Sequence, residues 1–302
     1  VSSAPARLRL IKEKALMSEF VTIFEMGPRD GLQNEKRFVP TEDKIALVDR
    51  LSECGFRKIE VTSFVSPKWV PQMADAQEVM EGIHRHPAVV YSVLTPNVKG
   101  YTAALKVSAD EVAIFGSASE GFSKKNINCS VAESIERFKP LLEKARQDEM
   151  PVRGYVSCVT DCPYDGPTPP EKVAEVAKIL YELGCYEISL GDTIGAGTPE
   201  TIGRMLDAVL TVVPAEKVAG HYHDTKGRAL ENIEVSLEKG LRTFDSTIGG
   251  LGGCPYAPGA KGNVATEAVA ELMQRRGFET GLKIGKLAEL AEFAKSLRSD
   301  TA

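Results

Sequence analysis

Short apolar runs rich in valine and isoleucine alternate with longer stretches of helical period along the whole chain. The runs that read as strands are VTIFEM (21–26), KIEVTS (58–63), VVYSVL (89–94), EVAIFG (111–116), VRGYVS (152–157), EISLGD (187–192), VAGHYHD (218–224) and TFDSTI (243–248). Their β-branched and aromatic content, bounded by turn residues, favours strand over helix. The stretches between them begin like helices. Thr41 leads EDKIALVDRLSEC, Pro170 and Glu171 open one helix, and Pro199 and Glu200 open another. Proline suits a first helical turn because its missing N–H has no partner there anyway. Gly184 and Gly240 stand where two helices should stop. The last segment, KIGKLAELAEFAKSL, reads as an added amphipathic helix whose leucine and phenylalanine spacing serves packing.

Eight strand–helix units in about 260 residues is the count for a closed (β/α)8 barrel, the TIM barrel. An open doubly wound sheet would normally bring a glycine-rich dinucleotide loop after its first strand, and GPRDGLQ is no such loop. No composition shift marks a linker, so residues 20–302 are expected to form a single catalytic domain. Residues 1–19 read as a leader, either disordered or an extended start. The basic stretch VSSAPARLRLIKEKAL precedes Met17, while Glu13 and the segment's shortness weigh against a targeting signal.

Charge narrows the partners. The 37 basic and 42 acidic residues of the 302 leave a net charge of -5, which argues against nucleic acid or an anionic membrane. No apolar run reaches the ~18 residues of a membrane span. The 6 cysteines form no C-x-x-C pair. Cys158 and Cys162 come closest to a ligand pair, but buried free thiols are the better reading and imply a reducing, cytoplasmic setting.

In such a barrel the active site lies at the C-terminal ends of the strands. His221 and His223 are two apart at the end of the seventh strand, so both imidazoles can face the mouth. The other histidines, His84 and His86, precede a strand and read as structural or solvated. Asp30 follows the first strand and Asn263 the eighth, and strands one, seven and eight are contiguous where the barrel closes. Two imidazoles, a carboxylate and an amide oxygen suit one Mg²⁺ or Mn²⁺, with zinc disfavoured for want of a thiolate. Glu60 sits between Ile59 and Val61 in the second strand, so alternation turns it inward. A buried carboxylate needs a partner, and Arg29 on the neighbouring strand is the natural one. Asp192 ends the sixth strand, either as an inward candidate or as a cap on the following turn. The loop IGGLGGCPYAPGAKGN carries Cys254, either as a lid with a reactive thiol or as a glycine-rich turn with an incidental one.

The segments FEMGPRDGLQNE, EVTSFVSPKWVPQMAD, CYEISLGDTIGAGTP, HYHDTKGRALEN and GLGGCPYAPGAKGNVATE closely resemble the 3-hydroxy-3-methylglutaryl-CoA lyase family. The resemblance runs from about Phe20 to the last helix. It implies a TIM barrel that uses Mg²⁺ or Mn²⁺ to split hydroxymethylglutaryl-CoA into acetyl-CoA and acetoacetate. It further implies Asp30, His221, His223 and Asn263 as ligands, Arg29 stabilising the enolate, Glu60 supporting it and Cys254 as the acid. His221 and Asp192 compete for the role of base. The implied partner is an acyl-CoA substrate, and a homo-oligomer, taken as a dimer, is expected. Lys124 and Lys125, in the loop after strand four, are candidates for the CoA phosphates, with a solvated charge pair as the alternative. Longer aldol and Claisen synthases share the metal motif but lack this cysteine loop. A relative acting on another 3-hydroxyacyl thioester, or a degenerate non-catalytic barrel, are the remaining alternatives.

Overall fold

The computed structural model describes residues 19–252 and 262–298. Its main sheet is a closed barrel of parallel strands: β1 (Thr22–Glu25), β2 (Lys58–Ser63), β3 (Val90–Leu94), β4 (Glu111–Ser117), β5 (Val152–Ser157), β6 (Glu187–Asp192), β7 (Val218–Tyr222) and β8 (Thr243–Ser246). Closure comes from β1, which pairs with β2 on one side and β8 on the other. All eight expected strands form, and the seventh is shorter than its apolar pattern suggests. It ends at Tyr222, and His223 forms a lone bridge with Asn263 instead of continuing the ladder.

The helix signals act as expected. The helix Pro199–Val209 starts on a capping box in which Thr201 N donates to Thr198 Oγ1 (3.2 Å) and Thr198 N to Thr201 Oγ1 (2.8 Å). Gly184 and Gly240 have φ of +107° and +96°, the left-handed geometry that stops a helix and suits glycine. The last helix, Ile284–Ser296, packs Leu287, Leu290, Ala291 and Ala294 inward, in line with its predicted packing role. The expected leader falls outside the described residues, apart from Glu19, except that Arg242 reaches back to pair with that residue. Among the described residues no helix is long and apolar enough to cross a membrane.

Two cores result from strand alternation. Outward residues such as Ile59, Val61, Ile114, Val156 and Leu190 pack against helix residues including Leu47, Leu51, Val176, Leu180 and Leu206. Each such side chain contributes about 1.5–3 kcal/mol on burial. The lumen holds a smaller apolar cluster of Phe24, Met26, Leu94, Ala113 and Tyr155. Beside it lies a buried polar network centred on Arg153. Its guanidinium donates to both oxygens of Asp245 (2.9 and 2.8 Å), to Glu187 (2.8 Å) and to the Tyr155 hydroxyl (3.0 Å). Every one of these charges has a partner, which is the condition for burying them.

Candidate active site

Beyond β1 the chain makes a wide turn, Gly27–Gly31, closed by Gly31 N donating to Met26 O at 3.1 Å. Both bounding glycines are required by contact. A Cβ on Gly27 would lie 2.7 Å from Glu25 Oε1, and one on Gly31 2.6 Å from Leu251 Cβ. The turn delivers Arg29 and Asp30 to the barrel mouth. Arg29 is 6% exposed; its Nε donates to Glu60 and its Nη1 to Asp30 Oδ1 at 2.6 Å. Glu60 is fully buried and also accepts from the Tyr155 hydroxyl at 3.0 Å. The expected Arg29–Glu60 pair is therefore present. Among the described residues Nη2 of Arg29 has no hydrogen bond.

Around Asp30 the donors converge. Gln33 Nε2 (2.8 Å) and Asn263 Nδ2 (2.7 Å) donate to its two oxygens, and His221 Nε2 lies 3.9 Å from Oδ2. Although burial opposes its charge, Arg29 and the two imidazoles hold the Asp30 carboxyl down at about 2. One atom each from Asp30, His221 and His223 lies within 4.8 Å of the others.

Two further observations test whether these residues fit a metal. The ring of His221 is fixed by its Nδ1, 3.1 Å from Asp245 Oδ2, which leaves Nε2 facing Asp30. A carboxylate on the far nitrogen of a ligating imidazole is the usual way its orientation and basicity are set. Among the described residues His223 Nδ1 is buried with no hydrogen-bond partner, and burial next to His221 lowers the His223 pKa to about 4. A neutral imidazole with an orphaned nitrogen has the form a metal requires. The Asn263 amide points its Nδ2 at Asp30, so a ligand role for its oxygen needs a turn of the amide.

The remaining candidates fall elsewhere. Asp192 accepts from Thr160 Oγ1 (3.0 Å), Ala196 N (3.1 Å) and Gly197 N (2.9 Å), so it does cap the turn after β6. Burial also lifts its pKa to about 6 despite those donors. Cys254 lies outside the described residues. His84 and His86 are exposed, and His84 bonds Asp49 at 2.7 Å. Lys124 and Lys125 are not in a loop: they sit exposed on the helix Glu120–Ile127, which Ser119 starts by capping Phe122 N. Cys158 and Cys162 are buried and free, with burial raising the Cys158 thiol far above its usual range.

Comparison with known proteins identifies the family. A family profile described as HMGL-like matches residues 20–294. The HMG-CoA lyase of Brucella melitensis superposes with a TM-score of 0.93 at 64% identity, covering 94% of this chain and 100% of that one. The mitochondrial hydroxymethylglutaryl-CoA lyase of Bos taurus is 58% identical over 273 residues, 90% of this chain and 84% of its own length. The chain belongs to the hydroxymethylglutaryl-CoA lyase family. An HMG-CoA lyase of this family from Acinetobacter baumannii, solved with coenzyme A and 3-methylmalate, matches at 36% identity with a TM-score of 0.87 over 92% and 91% of the two chains. Curated members include proteins named cytoplasmic and proteins named mitochondrial.

Asp245, Arg153, Tyr155 and Gln33 belong to the surroundings of the site but were not among the candidates. The signal was present for two of them. Asp245 in TFDSTI and Arg153 in VRGYVS are charges inside strand runs, beside the apolar Phe244 and Val152, as Glu60 is beside Ile59 and Val61.

Proposed function

We propose that this family member is a divalent-metal-dependent carbon–carbon lyase that cleaves (S)-3-hydroxy-3-methylglutaryl-CoA to acetyl-CoA and acetoacetate in a retro-Claisen-type step. The observation that carries the reading is the convergence of Asp30, His221 and His223 within 4.8 Å, beside a guanidinium whose Nη2 has no hydrogen bond among the described residues. Asp30, His221 and His223 would hold one Mg²⁺ or Mn²⁺, with Asn263 as a fourth ligand. When bound, such an ion acts as a Lewis acid and lowers the pKa of an alcohol it binds.

The chain's own residues supply the rest. Glu60 and Asp30 occupy Nε and Nη1 of Arg29 and fix its plane, leaving Nη2 for the oxygen of a developing thioester enolate. Fixed charge aimed where negative charge develops is usually the largest single catalytic contribution. Two roles expected of His221 compete for one nitrogen, since Asp245 engages Nδ1. We assign Nε2 to the metal and the hydroxyl proton to Asp192. A carboxylate offers about four acceptor positions; Asp192 uses three, and its raised pKa suits a base. Asp192→Asn is then expected to lower kcat by about 10² or more with Mn²⁺ affinity kept; an unchanged kcat would remove it as base. Cys254 is proposed to return a proton to the carbanion. The substrate is an acyl-CoA, and a homodimer is the proposed assembly, checked by light scattering.

The direct test is incubation with hydroxymethylglutaryl-CoA and Mg²⁺. Acetoacetate and acetyl-CoA in equal amounts, lost on chelation, are expected. Cleavage that survives complete metal removal would overturn the metal dependence, and no cleavage with metal present would overturn the substrate.

A further inference from the structure

Asn232 lies within the helix Ala229–Glu238, which follows β7, and it is fully buried. Two local rules argue against asparagine there. It is a poor helix former, because its side chain competes for nearby backbone groups. It also takes polar atoms out of water, and among the described residues its Oδ1 has no hydrogen-bond partner. One bond stands against these costs. Asn232 Nδ2 donates at 3.1 Å to the carbonyl oxygen of Gly197, in the loop after β6. A carbonyl can only accept, so the amide nitrogen must be the atom that faces it. A residue that breaks local rules in this way marks a functional constraint.

Gly197 is where that bond acts. Its N–H donates to Asp192 Oδ2 (2.9 Å), while Ala196 N and Thr160 Oγ1 serve Oδ1. The approach is close: a Cβ on residue 197 would lie 2.8 Å from Oδ2. Thr198, next in the chain, is fixed by the capping box of the helix it starts. Gly197 is therefore a soft joint between a capped helix and the cradle of the Asp192 carboxylate, and Asn232 clamps it. The clamp has its own anchor. Asn232 O accepts from Ser236 Oγ (2.7 Å), which also pairs with the hydroxyl of Tyr222 (2.8 Å), the residue between His221 and His223. We propose that Asn232 is a positioning residue for the lyase reaction. By tethering Gly197 to the helix packed on β7, it holds the Asp192 carboxylate in a fixed place relative to the two imidazoles. The proposal rests on the assignment of the hydroxyl proton to Asp192.

Asn232→Ala and Asn232→Leu both keep a good helix former at the position, one leaving space and the other filling it. Each should lower kcat about 10- to 100-fold, the scale for a displaced catalytic group. KM for hydroxymethylglutaryl-CoA should change less than about twofold, with Mn²⁺ affinity kept. In an Asp192→Asn background the same substitutions should cost almost nothing further, because residues that act as a unit are not additive. Tyr101→Phe removes another side-chain bond of a buried residue, to Asp148 at 2.7 Å, and should cost stability while leaving kcat alone. An effect on KM only, a full further loss in the Asp192→Asn background, or an equal kcat loss in Tyr101→Phe would make Asn232 merely structural and overturn the proposal. A second readout needs no turnover. Only Gly197 and Gly220 follow an alanine, so isotopic labelling of glycine nitrogen and alanine carbonyl carbon isolates their amides by nuclear magnetic resonance. The Gly197 amide proton, held by a carboxylate, should move upfield in Asn232→Ala as it does in Asp192→Asn, with Gly220 as the reference. An unmoved Gly197 signal in Asn232→Ala would overturn the tether. If wild type releases no acetoacetate, or Asp192→Asn keeps full kcat, the functional reading fails, while this spectrum still decides whether Asn232 holds the Asp192 cradle.

Discussion

Asp245 lies on β8 and Asp30 in the turn that follows the neighbouring β1, and their surroundings differ in kind. Asp245, in the lumen, is filled by its own protein: Arg153 holds both oxygens, Ser189 donates at 2.8 Å and His221 lies at 3.1 Å. Arg153 and the imidazole hold its carboxyl far below the usual range in spite of burial. Asp30, at the mouth, accepts from Arg29, Gln33 and Asn263 and also faces Nε2 of His221 and, among the described residues, a partnerless nitrogen of His223. A saturated carboxylate fixes the scaffold. One set beside two imidazole nitrogens we propose to be completed from outside, by a divalent cation suited to oxygen and nitrogen donors.

This contrast predicts that mouth variants impair chemistry while sparing the fold, and that lumen variants do the reverse. The largest catalytic effect is expected at Cys254. Cys254→Ala should retain metal and substrate yet lose about 10²–10⁴ in kcat, the range for a positioned acid; near-normal turnover would take the thiol out of the mechanism. Arg29→Gln follows, with kcat down about 10²–10³-fold and metal affinity largely kept. A rise confined to KM would make Arg29 a substrate anchor instead. Arg153→Met should cost about 3–5 kcal/mol of unfolding free energy, because Asp245 and Glu187 would be left buried without their cation. If denaturation midpoints hardly move while kcat falls, the lumen network is catalytic and the contrast fails.

Much of this was legible in the chain. The strands were readable because their apolar runs are short and bounded, and Glu60 because a carboxylate between Ile59 and Val61 has only the lumen to enter. The pair at His221 and His223 was readable from spacing, although His223 lies just past the strand, where it meets Asn263. The Arg153–Asp245 contact was not, since it joins residues 92 apart across the lumen. Alternation gives the face of a side chain, not its partner. The capping role of Asp192 stayed open for the same reason, because a cap depends on where the next backbone amides fall. Lys124 and Lys125 were misplaced in a loop because their helix is short and starts on a serine cap.

The central claim is that the mouth, unlike the lumen, is completed by one cation. Mn²⁺ titration of metal-free protein by calorimetry, with electron paramagnetic resonance to count bound ion, tests it most directly. One ion per chain is expected, with affinity greatly reduced in His223→Ala and unchanged in His84→Ala, whose exposed imidazole bonds Asp49. No bound ion in wild type, or equal affinity in both variants, would contradict the account.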